Sequence, residues 1–317
     1  MNVEFAIQFS QITEPNAAPV WLAYNPNSLD VYTQAASKGF AGFEETANVA
    51  RRFFSQVAPA NRSFLDVGAN IGVFTFGVAT LGVPVTAIEA LPDNFLLLNA
   101  GIEKNRLRNV RAHHAAATDK IGLLHISGTS HWGQITDQGT PIPGLTLDHI
   151  TATSDMPPPA LLKIDVEGFE YQVLLGATQL IDNTPDIDII VEIFSGNEKS
   201  LELLEQRGFN CYMIRLGMLI EAKSSEFQEC HNADYYCTRR KLAGGLFAGA
   251  PVSPRTAEVS IHILASEVNS TAPIHRALIA KRLKDAPEHL RQHPAMRGFI
   301  KQLESDPDQG VRNAISP

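Results

Sequence analysis

Two short stretches hold the residues most able to do chemistry. "FLDVGANIG", residues 64–72, ends an apolar run on Asp66 and then turns through Gly68, Asn70 and Gly72. "LLKIDVEGFE", residues 161–170, closes a second apolar run with Lys163 and Asp165, and Glu167 follows two residues on. Strand side chains alternate with a period of two, so this spacing predicts Lys163, Asp165 and Glu167 on one side of a strand. Glu192, in "DIIVEIF", takes the equivalent position on a following strand. Charges at the tips of buried strands are costly unless they are paired or used.

In an open α/β sheet, ligands sit outside the carboxyl ends of the strands, which makes the turn at 66–72 the expected binding loop. Glycines there let the backbone bend tightly and leave room for a ligand. A dinucleotide fold would place Gly-x-Gly-x-x-Gly in this turn so that amides reach a pyrophosphate. This chain has Asp66-Val-Gly68-Ala-Asn70-Ile-Gly72 instead. A carboxylate facing the loop repels a diphosphate and suits a cation, which fits S-adenosylmethionine, with its ammonium and sulfonium and no phosphate. The competing reading makes Asp66 or Asn70 a helix N-cap. Glu89, in "TAIEA", suits a ribose diol of an adenosyl or a nicotinamide cofactor alike. Asp119, in "HHAAATDKIG", falls after a third strand, either near an adenine amino group or as a turn residue. His113 and His114 read as structural or surface residues.

Three readings compete for the second cluster: a Lys163–Asp165 ion pair, a general base for a substrate hydroxyl, and a magnesium ion held by Asp165 and Glu192. Methyl transfer depends chiefly on orientation, with a base or metal helping an alcohol lose its proton. Asp165 is the first choice for contact with the reacting centre, with Glu192 and Lys163 behind it. His131, in "TSHWGQI", is a candidate base by its titration range, weighed against an incidental loop histidine. Trp132 is there to stack on adenine or a sugar, or to pack against the body.

These residues need a scaffold, and the chain spells one out. "SFLDV" and "VPVTAIEA" are β-rich runs around the helix-length "GVFTFGVATLG"; "PDNFLLLNAGIEKN" follows, with Pro92 suited to a first helical turn. After a loop-rich middle come "ALLKIDV", "GFEYQVLLGATQLI", "DIDIIVEIF" and "NEKSLELLEQRG". "FNCYMIRL" and "ADYYCTRR" read as two last strands paired antiparallel. Strand alternating with helix predicts an α/β fold, a mostly parallel Rossmann-like sheet with helices on both faces. The body runs over residues 1–240; "AGGLFAGAPVSP" reads as a linker, and residues 241–317 as linker plus a helical C-terminal extension whose helices, at 256–303, are an expected homo-oligomer contact.

Composition narrows the class. The 317 residues are 44% hydrophobic, enough for a substantial core, and no apolar run is long enough to cross a bilayer. The start, "MNVEFAIQFSQITEP", lacks the basic cluster and apolar stretch of a secretory signal, so a cytoplasmic protein is expected. Cys211, Cys230 and Cys237 make no disulfide framework and read as reduced thiols, and Cys230, His231 and Cys237 lack the further ligands of a zinc site. Residues 1–240 hold 16 Lys and Arg against 27 Asp and Glu, whereas 241–317 hold 10 against 7. An acidic body argues against nucleic acid as the main partner. The basic stretch "HRALIAKRLKDAPEHLRQH" reads as a solvated helix face.

Taken in order, "FLDVGANIGVFTF", "AIEALPDNFLLLNAGIEKN", "AAATDKIG", "LTLDHI" and "LLKIDVEGFEYQVLLGA" resemble the FkbM family of S-adenosylmethionine-dependent methyltransferases, over about residues 42–215. The resemblance implies a class I methyltransferase fold with a seven-stranded mostly parallel sheet, and O-methylation of a hydroxyl on a sugar, glycan or secondary metabolite. It places the cofactor on Asp66, Gly68, Asn70 and Gly72, on Glu89 and on Asp119, matches Asp165 and Glu167 to the fourth-strand motif, and brings Glu44 or Glu45 toward the methionine end. Where the family has Glu-Pro after the second strand, this chain has Glu89-Ala90-Leu91-Pro92. A nicotinamide-dependent oxidoreductase and a catalytically inactive methyltransferase-like binding module are the alternatives; the first lacks the third glycine of its fingerprint.

Overall fold

The computed structural model describes residues 5–13, 18–28, 43, 45–129, 132–193, 197–215, 218–222, 233–242, 246, 252–253, 268–269, 276–277, 280, 283–284, 291–292 and 294–316. A hairpin of β1 (Gln8–Ile12) and β2 (Val20–Tyr24) leads into α1 (Glu45–Gln56), which buries Ala47, Ala50 and Phe53 on one face. The expected alternation follows: β3 (Ser63–Val67), α2 (Val73–Ala79), β4 (Val85–Glu89), α3 (Pro92–Asn105) and β5 (Val110–His114).

The middle of the chain departs from expectation. Residues read as loop form β6 (Ala116–Ala117), β7 (Gly122–Thr129), β8 (Trp132–Thr136) and β9 (Thr140–Leu145), a separate sheet in the order β6-β9-β7-β8. Its apolar face, Ile126 and Ile142 with Ala116, packs on Leu91 just beyond the tip of β4. The body resumes with α4 (Leu147–Thr153), β10 (Pro159–Ile164), α5 (Glu170–Leu175), α6 (Thr178–Asn183), β11 (Asp188–Ile193), α7 (Lys199–Gln206), β12 (Asn210–Arg215), β13 (Met218–Ala222), β14 (Ala233–Thr238) and β15 (Val252–Ser253).

Among the described residues the main sheet has nine strands where seven were expected, in the order β15-β13-β12-β14-β11-β10-β3-β4-β5. Strands β5, β4, β3, β10 and β11 are parallel to one another; β14 is antiparallel to β11 and to β12. The two extra strands lie at the β12 edge, where Met218–Ala222 turns back along β12 and β15 pairs with it. Every residue of β3, β4 and β10 is buried, as a parallel strand covered on both faces requires. Alternate residues feed two cores: Leu65, Leu162 and Val191 on one face, Phe64, Leu161 and Ile190 on the other. Toward the C-terminus, α8 (Pro294–Glu304) and α9 (Gln309–Ile315) share a cluster of Met296, Leu303, Val311 and Ile315. Among the described residues no helix is long and apolar enough to cross a membrane.

Candidate active site

The glycine turn runs from the tip of β3 to the start of α2, with Gly68 at φ 77°, Asn70 at φ 50° and Gly72 at φ 99°. Each glycine is required by close packing. A Cβ on Gly68 would fall 1.7 Å from the carbonyl oxygen of Asp165, and one on Gly72 would fall 2.5 Å from the Phe76 ring. The turn also uses its own donors. The amides of Gly68 and Ala69 donate to Ile88 O (2.9 and 3.0 Å), and that of Gly72 to Ala69 O (2.9 Å). Asn70 N donates to Glu89 Oε2 and Ile71 N to Asn70 Oδ1, both at 2.8 Å. All five amides from 68 to 72 therefore have partners within the protein.

Glu89 is the anchor of this arrangement. One oxygen accepts from Asn70 N, and the other accepts from Leu91 N at 2.8 Å. Burial pushes its pKa up to about 7, although the two amides pull it back. Leu91, within the Glu-Ala-Leu-Pro stretch, gives its amide to this carboxylate, and its side chain carries the small sheet.

Asp66 does not face the crevice, which corrects the sequence expectation. Its side chain is fully enclosed; Thr75 Oγ1 donates to Oδ2 at 2.6 Å, and Lys163 Nζ lies 3.9 Å from Oδ1. The Thr75 amide also bonds to it, so Asp66 serves the first turn of α2, whose N-cap is a glycine with no side chain to offer. Burial raises its pKa, against the pull of Lys163 and Thr75.

Lys163 is the hub of the second cluster. Its ammonium donates to Asp165 Oδ2 at 3.0 Å and to Gly68 O at 3.1 Å, and lies 4.8 Å from the centre of the Phe74 ring. Burial disfavours the charge, but Asp165 and Asp66 outweigh it and hold the pKa above that of an ordinary lysine. Lys163 is thus a fixed cation and not a base. Asp165 keeps 29% of its side-chain surface exposed, yet its carboxyl end is desolvated. The opposing effects of Lys163 and of a hydrogen bond from Glu192 leave its pKa lowered. Glu192 is pushed up to about 11 by burial and by Asp165, so it is the protonated partner of the pair. Asp234, opposite Glu192 on β14, accepts from Thr46 Oγ1 of α1 at 2.5 Å.

Magnesium finds no support in this arrangement. Among the described residues no group of three His, Cys, Asp or Glu side chains is placed to hold a metal ion. Asp165 and Glu192 share a proton, and Lys163 already supplies the positive charge beside them.

Strand β10 ends at Ile164, so alternation does not place Glu167. It stands in a tight turn at φ 54°, partly exposed, and its pKa is pushed up to about 7 by burial and then by Asp165 and Glu170. Glu170, unremarked in the sequence, is fully buried and holds that turn: Oε1 accepts from Val166 N (3.2 Å) and Gly168 N (3.0 Å). Asn197 Nδ2 donates to its other oxygen, and Ser200 Oγ donates to Asn197 Oδ1 at 3.1 Å. The sequence signal was the Glu-Gly-Phe-Glu spacing, which lets the last acid fold back on its own turn.

The remaining candidates are dispersed. Asp119 is exposed beyond β6, where its Oδ1 accepts from Thr118 Oγ1 at 3.0 Å. His114 stacks on Phe95 with ring centres 4.7 Å apart, and burial lowers the pKa of His113. Cys211 and Cys237 are buried thiols opposite each other on β12 and β14, sulfur to sulfur 2.8 Å. Glu45 opens α1. His131, Glu44, Cys230 and His231 lie outside the described residues, as does the side chain of Trp132. A cavity of about 260 Å³ lies at the opposite ends of the strands, lined by Ser63, Thr86, Pro159 and Asn183, far from this chemistry.

Residues 66–211, which begin on Asp66 and take in Glu89, Lys163, Asp165, Glu167, Glu170 and Glu192, match the model of the methyltransferase FkbM domain. Residues 66–211 are thus similar to an FkbM methyltransferase domain. No curated protein matches the sequence. Among solved structures, a precorrin-6y C5,15-methyltransferase from Geobacter metallireducens GS-15 is 16% identical over 61% of this chain and 86% of that one, with a TM-score of 0.37. A putative O-methyltransferase from Klebsiella pneumoniae is 12% identical over 67% and 82%, at 0.39. A T. thermophilus 16S rRNA N2 G1207 methyltransferase, in complex with AdoMet and guanosine, is 13% identical over 74% and 51%, also at 0.39. Likenesses this distant decide nothing about substrate.

Proposed function

We propose that this domain binds S-adenosylmethionine over the tips of β3 and β4 and transfers its methyl group to a hydroxyl of a sugar, glycan or secondary metabolite. One observation carries the choice of donor: every amide from Gly68 to Gly72 is bonded within the protein. A pyrophosphate held on a glycine turn needs free amides aimed at it, and here it would have to displace existing bonds. An adenosyl group makes no such demand. The neighbouring groups agree: Glu89, Asp165, Glu167 and Asp234 gather at this end of the sheet, and those whose pKa burial has raised can give up a proton when a cation is placed beside them.

When bound, the donor supplies a methyl group on a positively charged sulfur. The chain's own residues do the rest. Gly68, Asn70 and Gly72 shape the floor of the adenosyl site; Asp66 supports it from behind by fixing α2. Glu89 accepts from the Asn70 and Leu91 amides and from the Asn94 side chain, and its remaining acceptor capacity is assigned to ribose hydroxyls. Asp119 is assigned to the adenine side. Asp165, fixed by Lys163, borders the place where acceptor and donor meet, and orientation there supplies most of the acceleration. His131 is retained as a second candidate base. Residues 241–317 are assigned to acceptor binding or self-association.

Incubation with S-adenosylmethionine and a panel of sugar and polyketide alcohols, read by mass spectrometry, tests the reaction type. A product heavier by one methylene unit is expected. Oxidation of the alcohols with NAD, and no methylated product, would refute it.

A further inference from the structure

Methylation of a neutral hydroxyl liberates one proton, and the carboxyl groups at the strand tips are unequally fitted to receive it. Asp66 is sealed beneath α2. Asp165 is ion-paired with Lys163 and accepts from Glu192, which is itself held neutral. Glu89 has an amide on each oxygen. Glu167 differs from all of these. It is partly exposed and hydrogen-bonded to no described residue, with Asp165, Glu170 and Lys163 acting on it through space.

Its backbone is also unusual. At φ 54° a non-glycine residue is strained, and the conformation persists only where the surroundings enforce it. The Glu170–Asn197–Ser200 chain of hydrogen bonds does so, gripping the amides on either side of Glu167. The turn stands against the glycine loop, since the Asp165 carbonyl fills the space a Gly68 side chain would need. A strained, buttressed turn thus carries, beside the adenosyl site, a carboxyl group that no described residue hydrogen-bonds.

We propose that Glu167 receives the proton of the acceptor hydroxyl, and that its ionisation is coupled to the positive charge on the donor sulfur. This rests on the methyltransferase reading above. In the transfer, the acceptor oxygen bonds the methyl carbon, the C–S electron pair stays on sulfur, and the hydroxyl proton passes to the Glu167 carboxylate. Charge balances, because one cation is lost as one carboxylate is neutralised. The raised pKa, about 7, fits this duty: near neutral pH a cation placed beside Glu167 expels its proton, and removal of that charge invites one back. Lys163, Asp165, Glu170 and Glu192 are the charged or titratable groups facing it from β10, its own turn, α5 and β11.

Binding calorimetry at pH 7 in phosphate and in Tris, buffers of different ionisation enthalpy, measures this coupling without any acceptor. S-adenosylmethionine is expected to release roughly 0.3–0.5 proton on binding, more than S-adenosylhomocysteine, in which only the sulfur charge differs, so the shared α-amino group cancels. In E167Q and E167G the difference disappears while S-adenosylhomocysteine binds as before; glycine accommodates φ 54°, so the turn survives in the second variant. Equal proton release for both ligands in the parent protein, or an undiminished difference in both variants, would overturn the role of Glu167. Failure of both ligands to bind the parent protein would instead remove the methyltransferase reading, and this inference with it.

Discussion

Lys163 and Glu192 illustrate how burial assigns opposite fates to charged side chains a few ångströms apart. Lys163 stays charged because Asp165 and Asp66 flank it; Glu192 stays protonated because Asp165 already holds the negative charge. E192Q should therefore be nearly silent, since an amide can donate to Asp165 as the protonated acid does, whereas K163M should cost about 3–5 kcal/mol by leaving a buried carboxylate uncompensated. Urea unfolding of both variants measures the contrast, and equal destabilisation would contradict it. At this scale the sequence announced the clustering of Lys163, Asp165 and Glu192 better than the surroundings of each residue. Lys163 and Asp165, two residues apart, do meet, with Nζ 3.0 Å from Oδ2, although Asp165 stands one residue beyond the end of β10. The same spacing misplaced Glu167 because alternation holds only while the strand lasts, and Ile164 is its last residue. The burial of Asp66 was hidden for a different reason: its partner Thr75 lies nine residues on, in the first turn of α2, and nothing in the glycine loop announces that contact.

The elements that carry the site divide into those with a clear period and those without. Strands β3, β4, β10 and β11 and the helices between them were legible because buried parallel strands are unbroken apolar runs and helices repeat their apolar positions. The small sheet was not. Strand β9, "TPIPGL", contains two prolines and a glycine, and β7 leaves Leu123 68% exposed, so neither alternation nor turn chemistry marks them. The missed sheet matters, since it packs on Leu91 beside Glu89. Another element-level device is the turn from Val166 to Gly168, whose shape depends on Glu170. E170A removes the acceptor of two backbone amides and of Asn197, and should destabilise the protein by about 2–4 kcal/mol. Amide exchange of Val166 and Gly168 should rise well beyond that of the β10 core; unchanged protection would show the turn to be held by something else.

For the whole molecule, the balance of shifted carboxyl groups fixes how stability varies with pH. Glu89 and Glu167 titrate near 7 in the folded protein, and Glu170, Asp188 and Asp234 are also raised, burial being the leading cause in each. An acid with a raised folded pKa binds more protons folded than unfolded, so its contribution is present below about pH 4.5 and is lost as pH rises toward 7. Asp165 and Asp186 are lowered and act in the opposite sense, protecting the fold until the pH falls below the usual carboxylate range. The thermal midpoint should therefore be highest near pH 5 and decline toward pH 8, as scanning calorimetry would show; a midpoint rising steadily over that interval would mean these carboxyl groups are better solvated than their surroundings indicate.

The main sheet brings the closed glycine turn and the carboxyl-rich tips of β3, β4, β10 and β11 to one end, and the donor proposed for this protein rests on that meeting. Titration calorimetry with S-adenosylhomocysteine and, separately, with NAD tests it most directly. Saturable one-to-one binding of S-adenosylhomocysteine with no heat from NAD is predicted. Tight binding of NAD, displacing the bonds of the Gly68–Gly72 amides, would contradict the account.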